Sequence, residues 1–437
     1  MKKGFRILKF KKDLFYFFVF FQVSSHLFAQ VTVSGSFQPS KMFRLTNQSE
    51  ISLPFRIAEA EVGYSLGDFE LKSNTAMEYR WENNENELQF REAYLMWYPS
   101  WGEVKVGKQI HAWGAVDGNN PTDNLNPYDY YYMFLPGADR KIGTVSGSVK
   151  YYWNDWQFEG VYIPDHVGNR VPFGEKDFPF GPPIDITEFI YNEKSPEFGI
   201  HVQTNIFGSD IGFSYFNGFD RMFSEFGIIN PPTPGNILPV FAFRKTKAFG
   251  VNLVSFIQDF TLRSEASYFH SKKYDLENLN ESGIWEEGEY IQFAFQLEYI
   301  TENNLMISSQ LIGQEIIYDS WDDYYENKSS SIDSVSIDHI YIRSFQPGLG
   351  TPFASFTDLG LLLSVSANYF DDALELMGNT FIDLKDSQSM LGMSANYTPI
   401  NNWKINASIS KFMGEEGTQF NNMEDFSHFQ IGLAYHF

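Results

Sequence analysis

Polar and apolar residues alternate with a period of two along most of this chain. In the stretch 290–299, for example, Ile291 and Phe293 fall on one face while Gln292 and Gln296 fall on the other. Successive side chains of a β-strand point to opposite faces, so this period is typical of strands whose two faces meet different surroundings. The pattern recurs to the end of the chain and predicts an all-β fold.

The connections between the predicted strands alternate between two kinds. Short turns rich in Gly, Asn and Asp stand at one end of the strands, as at Asn154-Asp155 and Asn401-Asn402. Connections at the other end are usually longer, with only 83–86 and 385–388 brief on that side. A soluble sandwich has no reason to sort its loops in this way. Short periplasmic turns and long extracellular loops are typical of outer-membrane barrels. The longer connections are 112–140, 165–195, 221–242, 273–288, 320–352 and 415–426.

We count eighteen strands, so the sequence predicts a transmembrane antiparallel β-barrel over residues 30–437. An even number puts both termini at the short-turn end. Two strands are weak, because Gly35 interrupts the first and Glu375 disturbs the faces of the fifteenth, and sixteen strands is the alternative count. The strands are predicted to begin near Val31, Phe55, Phe69, Glu87, Glu103, Thr144, Trp156, Glu197, Asp210, Ala248, Phe260, Tyr290, Leu305, Leu359, Ala373, Ser389, Trp403 and Ser427.

The first 29 residues differ from everything that follows them. A basic start that includes Lys2 and Arg6 precedes the mostly apolar run 14–23, and smaller residues lead to Ala29. This three-part pattern predicts a secretory signal peptide over residues 1–29. A retained anchor is the alternative, but the apolar run is well short of the ~20 residues that a membrane-spanning helix needs. Export predicts a place in the outer membrane of a Gram-negative bacterium.

Charge and composition narrow the class of partner. The predicted signal peptide holds six of the 32 Lys and Arg residues and one of the 55 Asp and Glu residues, so its removal takes the net charge from −23 to −28. This charge excludes nucleic acid, whose binding relies on cations that neutralise phosphates. Aromatic residues make up 18% of the chain. Barrels that contact a lipid bilayer carry such residues in girdles at both interfaces.

The last predicted strand ends on an aromatic carboxyl terminus. In the stretch 427–437, Phe429, Ile431 and Leu433 alternate with more polar or smaller residues, and the chain stops at Phe437. This strand resembles the C-terminal strand of Gram-negative outer-membrane proteins. The resemblance implies that the outer-membrane assembly machinery binds this strand.

The segment 107–134 is too polar for a strand and too aromatic for a free linker. It leaves the fifth predicted strand and enters 112–140, the third loop on the long side. In general porins the third such loop folds inward and narrows the channel, and this loop resembles that one in order and length. Residues 112–140 are therefore predicted to be an inward-folded constriction loop.

Part of this segment also resembles the motif of an uncharacterised porin-like outer-membrane family. That family follows a strand with Gly-Arg-Gln, then Trp-Gly, an Asp and Asn-Pro-x-Asp. In this chain Lys108 replaces the Arg, which loses the bidentate hydrogen bonding that Arg offers an anion. The resemblance implies a porin-like barrel but no particular solute. The matching residues are Gly107, Lys108, Gln109, Trp113, Gly114, Asp117, Asn126, Pro127 and Asp129.

Polar residues on the inward faces of the strands are predicted to line the pore near this loop. Both signs of charge occur, and rings of charged side chains select which ions or solutes pass. The alternative is that these charges pair across strands and only fill the interior. Inward charges farther round the barrel include Glu159, Arg263 and Glu265. The predicted pore-lining residues are Glu70, Lys72, Glu78, Arg80, Arg91, Lys105, Gln109 and His111, with Asp117, Asp123 and Asp129 in the loop.

Other chemistry in the loop is less well supported. Its Asp and Asn oxygens suit Ca²⁺, but the EF-hand order is absent, so we interpret these residues as turn formers. The tyrosines at 128 and 130–132 either stack against a sugar or lipid or hold the loop against the barrel wall. No Gly-x-Ser-x-Gly, His-Glu-x-x-His or phosphate-loop motif appears. We therefore predict no enzymatic activity, no cofactor and no metal.

Together these features predict a channel through which a small solute or ion passes by passive or facilitated diffusion. Two alternatives stay open. The aromatic loop is also consistent with a barrel that transports lipids or other hydrophobic molecules. The long acidic loops are consistent with a non-conducting surface protein for adhesion or envelope assembly. A homotrimer is one of the assemblies that the sequence allows.

Overall fold

A computed structural model describes residues 31–178, 187–191, 194–229, 238–274, 287–320 and 345–437 of the chain. The predicted signal peptide, residues 1–29, lies outside the described residues, as do parts of four of the predicted long loops. Within the described residues, no helix is long and apolar enough to cross a membrane.

The alternating segments form β-strands, and nearly every strand pairs antiparallel with the next one along the barrel. In chain order they are β1 (Val31–Phe37), β2 (Ser40–Arg44), β3 (Phe55–Leu66), β4 (Phe69–Arg80), β5 (Glu85–Trp97), β6 (Gly102–Gln109), β7 (Thr144–Trp153), β8 (Trp156–Ile163), β9 (Ile190–Tyr191), β10 (Glu197–Ile206), β11 (Ser209–Phe219), β12 (Ser224–Ile229), β13 (Leu238–Ala242), β14 (Lys245–Ile257), β15 (Phe260–Lys272), β16 (Glu287–Ile300), β17 (Met306–Asp319), β18 (Leu359–Tyr369), β19 (Leu374–Asp383), β20 (Gln388–Ile400), β21 (Trp403–Gly414) and β22 (His428–His436).

The sheet closes on itself through its first and last strands. β1 and β2 are two parts of one barrel strand, since both pair with β22 and β1 also pairs with β3. The result is a closed antiparallel barrel of eighteen strands, as predicted. Closure satisfies every strand edge, which a sheet in lipid requires. The short strands β9, β12 and β13 form a separate small sheet at the long-loop end.

The first barrel strand is interrupted at a different place from the one predicted. Gly35 lies within β1, where an added Cβ would be 2.6 Å from the ring of Phe437. The break falls at Gln38 and Pro39, because Pro39 has no N–H to donate to the ladder. Glu375 does not disturb the fifteenth strand either, since it faces inward and accepts a hydrogen bond from Asn396 at 3.0 Å.

The two faces of the barrel wall differ as the alternation predicted. In β22, Phe429, Ile431 and Leu433 are exposed although they are apolar, whereas His428 and Ala434 are buried on the inner face. Exposed apolar side chains on every second position suit a lipid environment. Most of the short turns lie at one end, and only the four-residue connections 81–84 and 384–387 are brief at the other end of the described strands. Asn at positive φ supports several of these turns, as its short polar side chain tolerates this backbone.

The remaining described elements are single helical turns in the long connections. They are the 3₁₀ turns Tyr130–Tyr132, Gly137–Arg140, Thr187–Phe189, Pro352–Ser355 and Glu424–Phe426, and the α-helix Gln419–Asn422. Apolar side chains from these connections fill the interior of the barrel at its long-loop end. Two buried clusters result, one around Trp113, Phe216 and Tyr290 and the other around Tyr130, Phe353 and Phe412.

Candidate functional site

Residues 110–143 connect two adjacent strands but contact distant parts of the wall. They leave β6 and return in β7, which pair with each other. Between these ends the chain reaches inward-facing side chains of β15–β17 and then of β3–β5. We call residues 113–122 the first arm, residues 123–127 the middle segment and residues 128–139 the second arm. β15–β17 are the eleventh to thirteenth of eighteen barrel strands and β6 is the fifth, so the first arm crosses the lumen.

A single carboxylate holds the middle of the first arm. Glu265, on the inner face of β15, is 3% exposed. Its oxygens accept hydrogen bonds from the backbone N–H of Ala115, from the N–H of Val116 at 2.7 Å, from the Thr122 hydroxyl at 2.6 Å and from the Asn120 amide at 3.0 Å. A carboxylate is an acceptor only, so this cluster of donors satisfies its charge inside the barrel.

The Trp-Gly pair of the motif forms the base of the first arm. The indole N–H of Trp113 donates to Glu159 at 3.0 Å, and its ring stacks on His201 with centroids 5.4 Å apart. Gly114 has φ +98°, and an added Cβ would lie 2.5 Å from a Glu265 oxygen. Only glycine combines this backbone with so close an approach. The motif therefore serves the docking of the arm on Glu265.

Two amide side chains hold the far end of the first arm. Gln296 accepts from the backbone N–H of Asp117 at 2.8 Å and donates to its carboxylate at 2.9 Å. Asn119 donates to Gln310 at 2.6 Å. Neutral amides can both donate and accept, so one strand position serves both groups of Asp117.

Asn126 holds the middle segment in place. Its side-chain oxygen accepts from the backbone N–H of His111 at 2.6 Å, and its amide donates to the carbonyl of Gln109 at 3.1 Å and of Ile142 at 3.0 Å. One side chain thus ties both ends of the loop together. The backbone N–H of Ile142 also donates to the carbonyl of Pro127 at 2.9 Å.

Two buried cations also contact the middle segment. Arg221, from the connection between β11 and β12, donates to the carbonyls of Asn124 at 3.2 Å and Leu125 at 2.8 Å. Lys141 is paired with Asp123. Burial lowers the pKa of Lys141, and the Asp123 carboxylate opposes that shift.

Ion pairs hold the second arm. Asp129 lies 3.1 Å from Arg170 and 3.7 Å from Arg56. Arg170 also makes a bidentate pair with Glu78 of β4, at 2.9 and 3.0 Å. Burial raises the pKa of Asp129, although the Arg170 guanidinium lowers it. Asp129 and Arg170 are each shared between two partners, in contrast to the single carboxylate of the first arm.

Two further arginines extend this network. Arg80 forms a bidentate pair with Glu175, at 2.6 and 2.9 Å, and Glu175 also accepts from the Tyr131 hydroxyl. Burial opposes ionisation of Glu175, but these hydrogen bonds hold its pKa below the ordinary value. Arg91 contacts Asp139 at 3.1 Å and Glu59 at 3.4 Å. The arginines predicted to line the pore thus bind the loops instead of standing free.

The tyrosines of the loop are engaged within the protein. Tyr128, Tyr130 and Tyr132 are buried, and the guanidinium of Arg56 lies 3.8 Å from the centre of the Tyr132 ring. The Tyr132 hydroxyl donates to the carbonyl of Pro54 at 3.2 Å. These contacts favour attachment of the loop to the barrel wall over stacking on a sugar or lipid.

Several predicted pore-lining residues lie below the loop, toward the short turns. Lys72 pairs with Glu61 at 3.0 Å, and Glu70 accepts from the Tyr98 hydroxyl at 3.0 Å. Lys105 lies 5.6 Å from the centre of the Tyr94 ring. This group is separate from the arms and keeps both signs of charge.

The residues at the end of β6 have different roles. Gln109 donates to the carbonyl of Ser146 at 3.0 Å, and the His111 ring meets the Ser146 hydroxyl at 3.0 Å. Burial, with help from nearby lysines, lowers the pKa of His111 to about 3. Lys108 lies on the outward face of β6. Gly107 has φ +139°, and an added Cβ would lie 2.3 Å from the carbonyl oxygen of Ala93.

The three aspartates of the loop are not brought together. Asp117 binds Gln296, Asp123 pairs with Lys141 and Asp129 pairs with arginines. Across the described residues, no group of three or more His, Asp or Glu side chains is arranged to hold a metal ion.

Sequence reasoning missed Arg56, Arg170, Arg221 and Glu175. Arg56 could have been found, since it lies opposite Glu78 in the β3–β4 ladder and shares its inward face. The other three lie in long connections without periodicity, where the sequence carries no signal for orientation.

The fold and family can be compared with known proteins. A family model described as "Protein of unknown function (DUF1302)" matches residues 67–437, which agrees with the predicted uncharacterised family. No protein of curated function matches the sequence at a significant level. The predicted family motif itself is not tested by this match.

Solved outer-membrane structures share the fold. A BenF-like porin from Pseudomonas fluorescens Pf-5 has a TM-score of 0.53 at 10% identity over 93% of this chain and 98% of that chain. Pseudomonas aeruginosa OpdL has a TM-score of 0.53 at 9% identity over 94% and 99%. OccK5 (OpdH) of the same organism has a TM-score of 0.52 at 10% identity over 93% and 98%. At such identities the likeness shows the barrel fold alone.

Proposed function

Because this chain belongs to the family of unknown function DUF1302, we propose its activity from its own geometry. We propose an outer-membrane channel in which a small polar solute or ion diffuses through the barrel, past a constriction formed by residues 110–143. The observation that carries this proposal is the path of the two arms across the lumen, from β6 to β15–β17 and back to β3–β5. A loop anchored on opposite walls narrows whatever passage the barrel leaves.

The route proposed for the solute follows the wall formed by β18–β22. Many of the inward side chains there are small and uncharged, so they leave space in the lumen and offer hydrogen bonds to a polar solute, and Glu375 and Lys404 add one charge of each sign. Below the arms, the paired Lys72 and Glu61 with Glu70 and Lys105 add charges of both signs. The small inward residues of this wall are Ser364, Ser366, Ser394, Asn396, Asn406, Ser408 and Ser410.

The membrane placement is part of the same proposal. The exposed apolar outer face and the closed edges suit a bilayer. Likeness to outer-membrane porins supports the outer membrane, with residues 1–29 acting as the signal peptide and the strand that ends at Phe437 as the assembly signal. A homotrimer is compatible with this placement.

The alternative functions have less support. Transport of lipids would need the loop tyrosines to be accessible, whereas Tyr128, Tyr130 and Tyr132 are buried. If correctly folded barrels pass no current, the function of a non-conducting surface protein is favoured instead. The proposed channel function includes no enzymatic step.

Substituted cysteines test conduction, since the chain has no native cysteine to react. Ser408→Cys places a thiol on the inner face of β21, and Ala407→Cys places one on its outer face. We expect an anionic, membrane-impermeant methanethiosulfonate to reduce the single-channel current of Ser408→Cys in planar bilayers and to leave Ala407→Cys unchanged. The reagent adds bulk and charge to the proposed route only in the first variant.

Two results would count against this proposal. Absence of current from correctly folded barrels would favour the surface protein. A current that is insensitive to modification at position 408 would mean that any conduction avoids the β18–β22 wall.

A further inference from the structure

Four basic side chains form a square on the outer face of the barrel, at its long-loop end. Lys245 lies opposite Lys272, and Lys247 lies opposite His270, in the antiparallel pair β14–β15. Opposite residues in such a pair are about 5 Å apart, and positions two residues apart on one strand are about 7 Å apart. Basic residues so close together are unexpected in a chain with a net charge of −23.

Within the described residues, the cations on β14 have no acidic partner. Glu287 lies 3.1 Å from Lys272 and also pairs with His270, so it neutralises the β15 side of the square. In the part of the chain that the structure describes, neither Lys245 nor Lys247 makes an ion pair, and the ammonium of Lys245 lies 5.0 Å from the centre of the Tyr274 ring. Both side chains are exposed. Lys245 and Lys247 are therefore without an ion pair in the described part of the chain, and the nearest outward acids are Glu287 and Glu289, which lie opposite Lys272 and His270 on β16.

A row of aromatic side chains lies directly below these lysines on the same outer face. Phe249 follows Lys247 by two residues, and it lies opposite Tyr268 on β15 and Tyr215 on β11. The Tyr215 and Phe249 rings are 4.8 Å apart. Aromatic residues of barrels mark the interface between the apolar band and the headgroups. The lysines therefore stand just outside the apolar band, at headgroup level.

A groove of about 420 Å³ passes over this square. Its described lining contains no Asp or Glu. The side chains that the groove offers beside the cations include the amide of Asn217, which lies opposite Lys247 on β11. The residues that line the groove on the outer face include Pro196, Asn217, Lys245, Lys247, His270 and Lys272.

We propose that this surface, made of Lys245, Lys247 and Asn217 above the Phe249 and Tyr268 rings, binds the phosphorylated headgroup of a lipid in the surrounding leaflet. The ammonium groups and the amide contact phosphate oxygens, and the acyl chains lie along the exposed aromatic row. The continuity between cations and apolar band favours a lipid over a free anion. The inference rests on the proposed membrane placement, but it does not depend on conduction.

Titration of the detergent-purified full-length barrel with bisphosphorylated lipid A, followed by native mass spectrometry, tests this proposal. Each lysine near an anionic lipid surface strengthens binding by about fivefold. We therefore expect about fivefold weaker binding for Lys247→Gln and about 25-fold weaker binding for Lys245→Gln/Lys247→Gln. Lys411→Gln, which removes a lone outward lysine at the same end of β21, should bind as the unmodified protein does.

Two competitor arms identify the source of the phosphate. Lipid A with the same acyl chains but no phosphates should bind as weakly as the double variant does, and millimolar inorganic phosphate should not displace lipid A. Displacement by phosphate alone would replace the lipid with a free anion, and equal binding by the unphosphorylated lipid would leave only apolar contact. Either result would overturn the proposal, as would an equal loss in Lys411→Gln. Retained heat modifiability on gels shows that each variant is folded.

Discussion

The two arms of the loop are held to the barrel in opposite ways. The first arm is centred on Glu265, one buried carboxylate that accepts from several loop donors at once, while the neutral Gln296 and Gln310 hold its far end. The second arm relies on shared ion pairs, in which Arg170 serves both Asp129 and Glu78 and Arg91 serves both Asp139 and Glu59. In the folded state Glu265, which we call the hub, holds the first arm, and the network of ion pairs holds the second arm. They differ in what one substitution can remove.

The difference follows from the number of buried hydrogen-bonding groups that lose their partner when one side chain is removed. A buried donor that loses its acceptor costs about 1–3 kcal/mol, and the loss of Glu265 would leave several such donors together. In the second arm, Arg170 keeps Glu78 if it loses Asp129, and Arg91 keeps Glu59 if it loses Asp139. We therefore infer that the first arm can be released by a single change and the second arm cannot.

Glu265→Ala should have the largest effect. We expect it to lower the free energy of unfolding by about 3 kcal/mol, because Val116, Thr122 and their neighbours lose a charged acceptor. If residues 110–143 constrict a channel, the first arm should also leave the lumen, and single-channel conductance should rise. Urea titration and planar-bilayer recordings measure the two effects.

A matched control separates release of the arm from loss of a lumen charge. Glu375→Ala removes an inward glutamate on β19 that accepts from Asn396 and does not touch the loop. If both variants raise conductance equally, lumen charge would explain the change and the hub would lose its role in constriction.

The sequence was informative wherever the barrel is periodic. The predicted strand starts lie within a few residues of those observed, and the inward position of Glu265 followed from the same alternation. An apolar outer face and a polar inner face impose one period on every strand, so each face can be read locally.

The partners of the loop could not be read in this way. The backbone N–H groups that Glu265 accepts carry no residue-specific signal, and Arg170, Arg221 and Glu175 lie in connections without a period. Charges that looked like free pore-lining groups, such as Arg91, are engaged because loops from elsewhere in the chain bring acids to them. Such pairing depends on long-range folding, which local patterns do not encode.

Gly114→Ala should have the second-largest effect and tests how closely the first arm must approach its hub. The added methyl would meet a Glu265 oxygen at 2.5 Å and would also strain a backbone at φ +98°. Gly118→Ala is the matched control, since its φ is +88° but the nearest atom to the added methyl is an Arg140 nitrogen at 3.6 Å.

The comparison between the two glycine variants isolates the clash. Backbone strain of about 1–3 kcal/mol is common to both variants, so urea titration should show a larger loss for Gly114→Ala than for Gly118→Ala. Hydrogen exchange of residues 113–122 should accelerate more in the first variant. Equal losses of the free energy of unfolding would mean that backbone strain alone matters and that Glu265 can move away from the added methyl group at little cost.

Asp129→Asn should have the smallest effect, because the second arm is a network. Burial raises the pKa of Asp129 despite its arginine neighbours, so the cost of desolvating this carboxylate offsets much of what its ion pairs contribute. The neutral amide keeps an oxygen for the N–H of Tyr131, and Arg170 keeps its bidentate pair with Glu78. We expect a loss below about 1 kcal/mol, unchanged conductance and unchanged hydrogen exchange over residues 128–139. A response as large as that of Glu265→Ala would show that the second arm also depends on one group, and the contrast between the arms would fail.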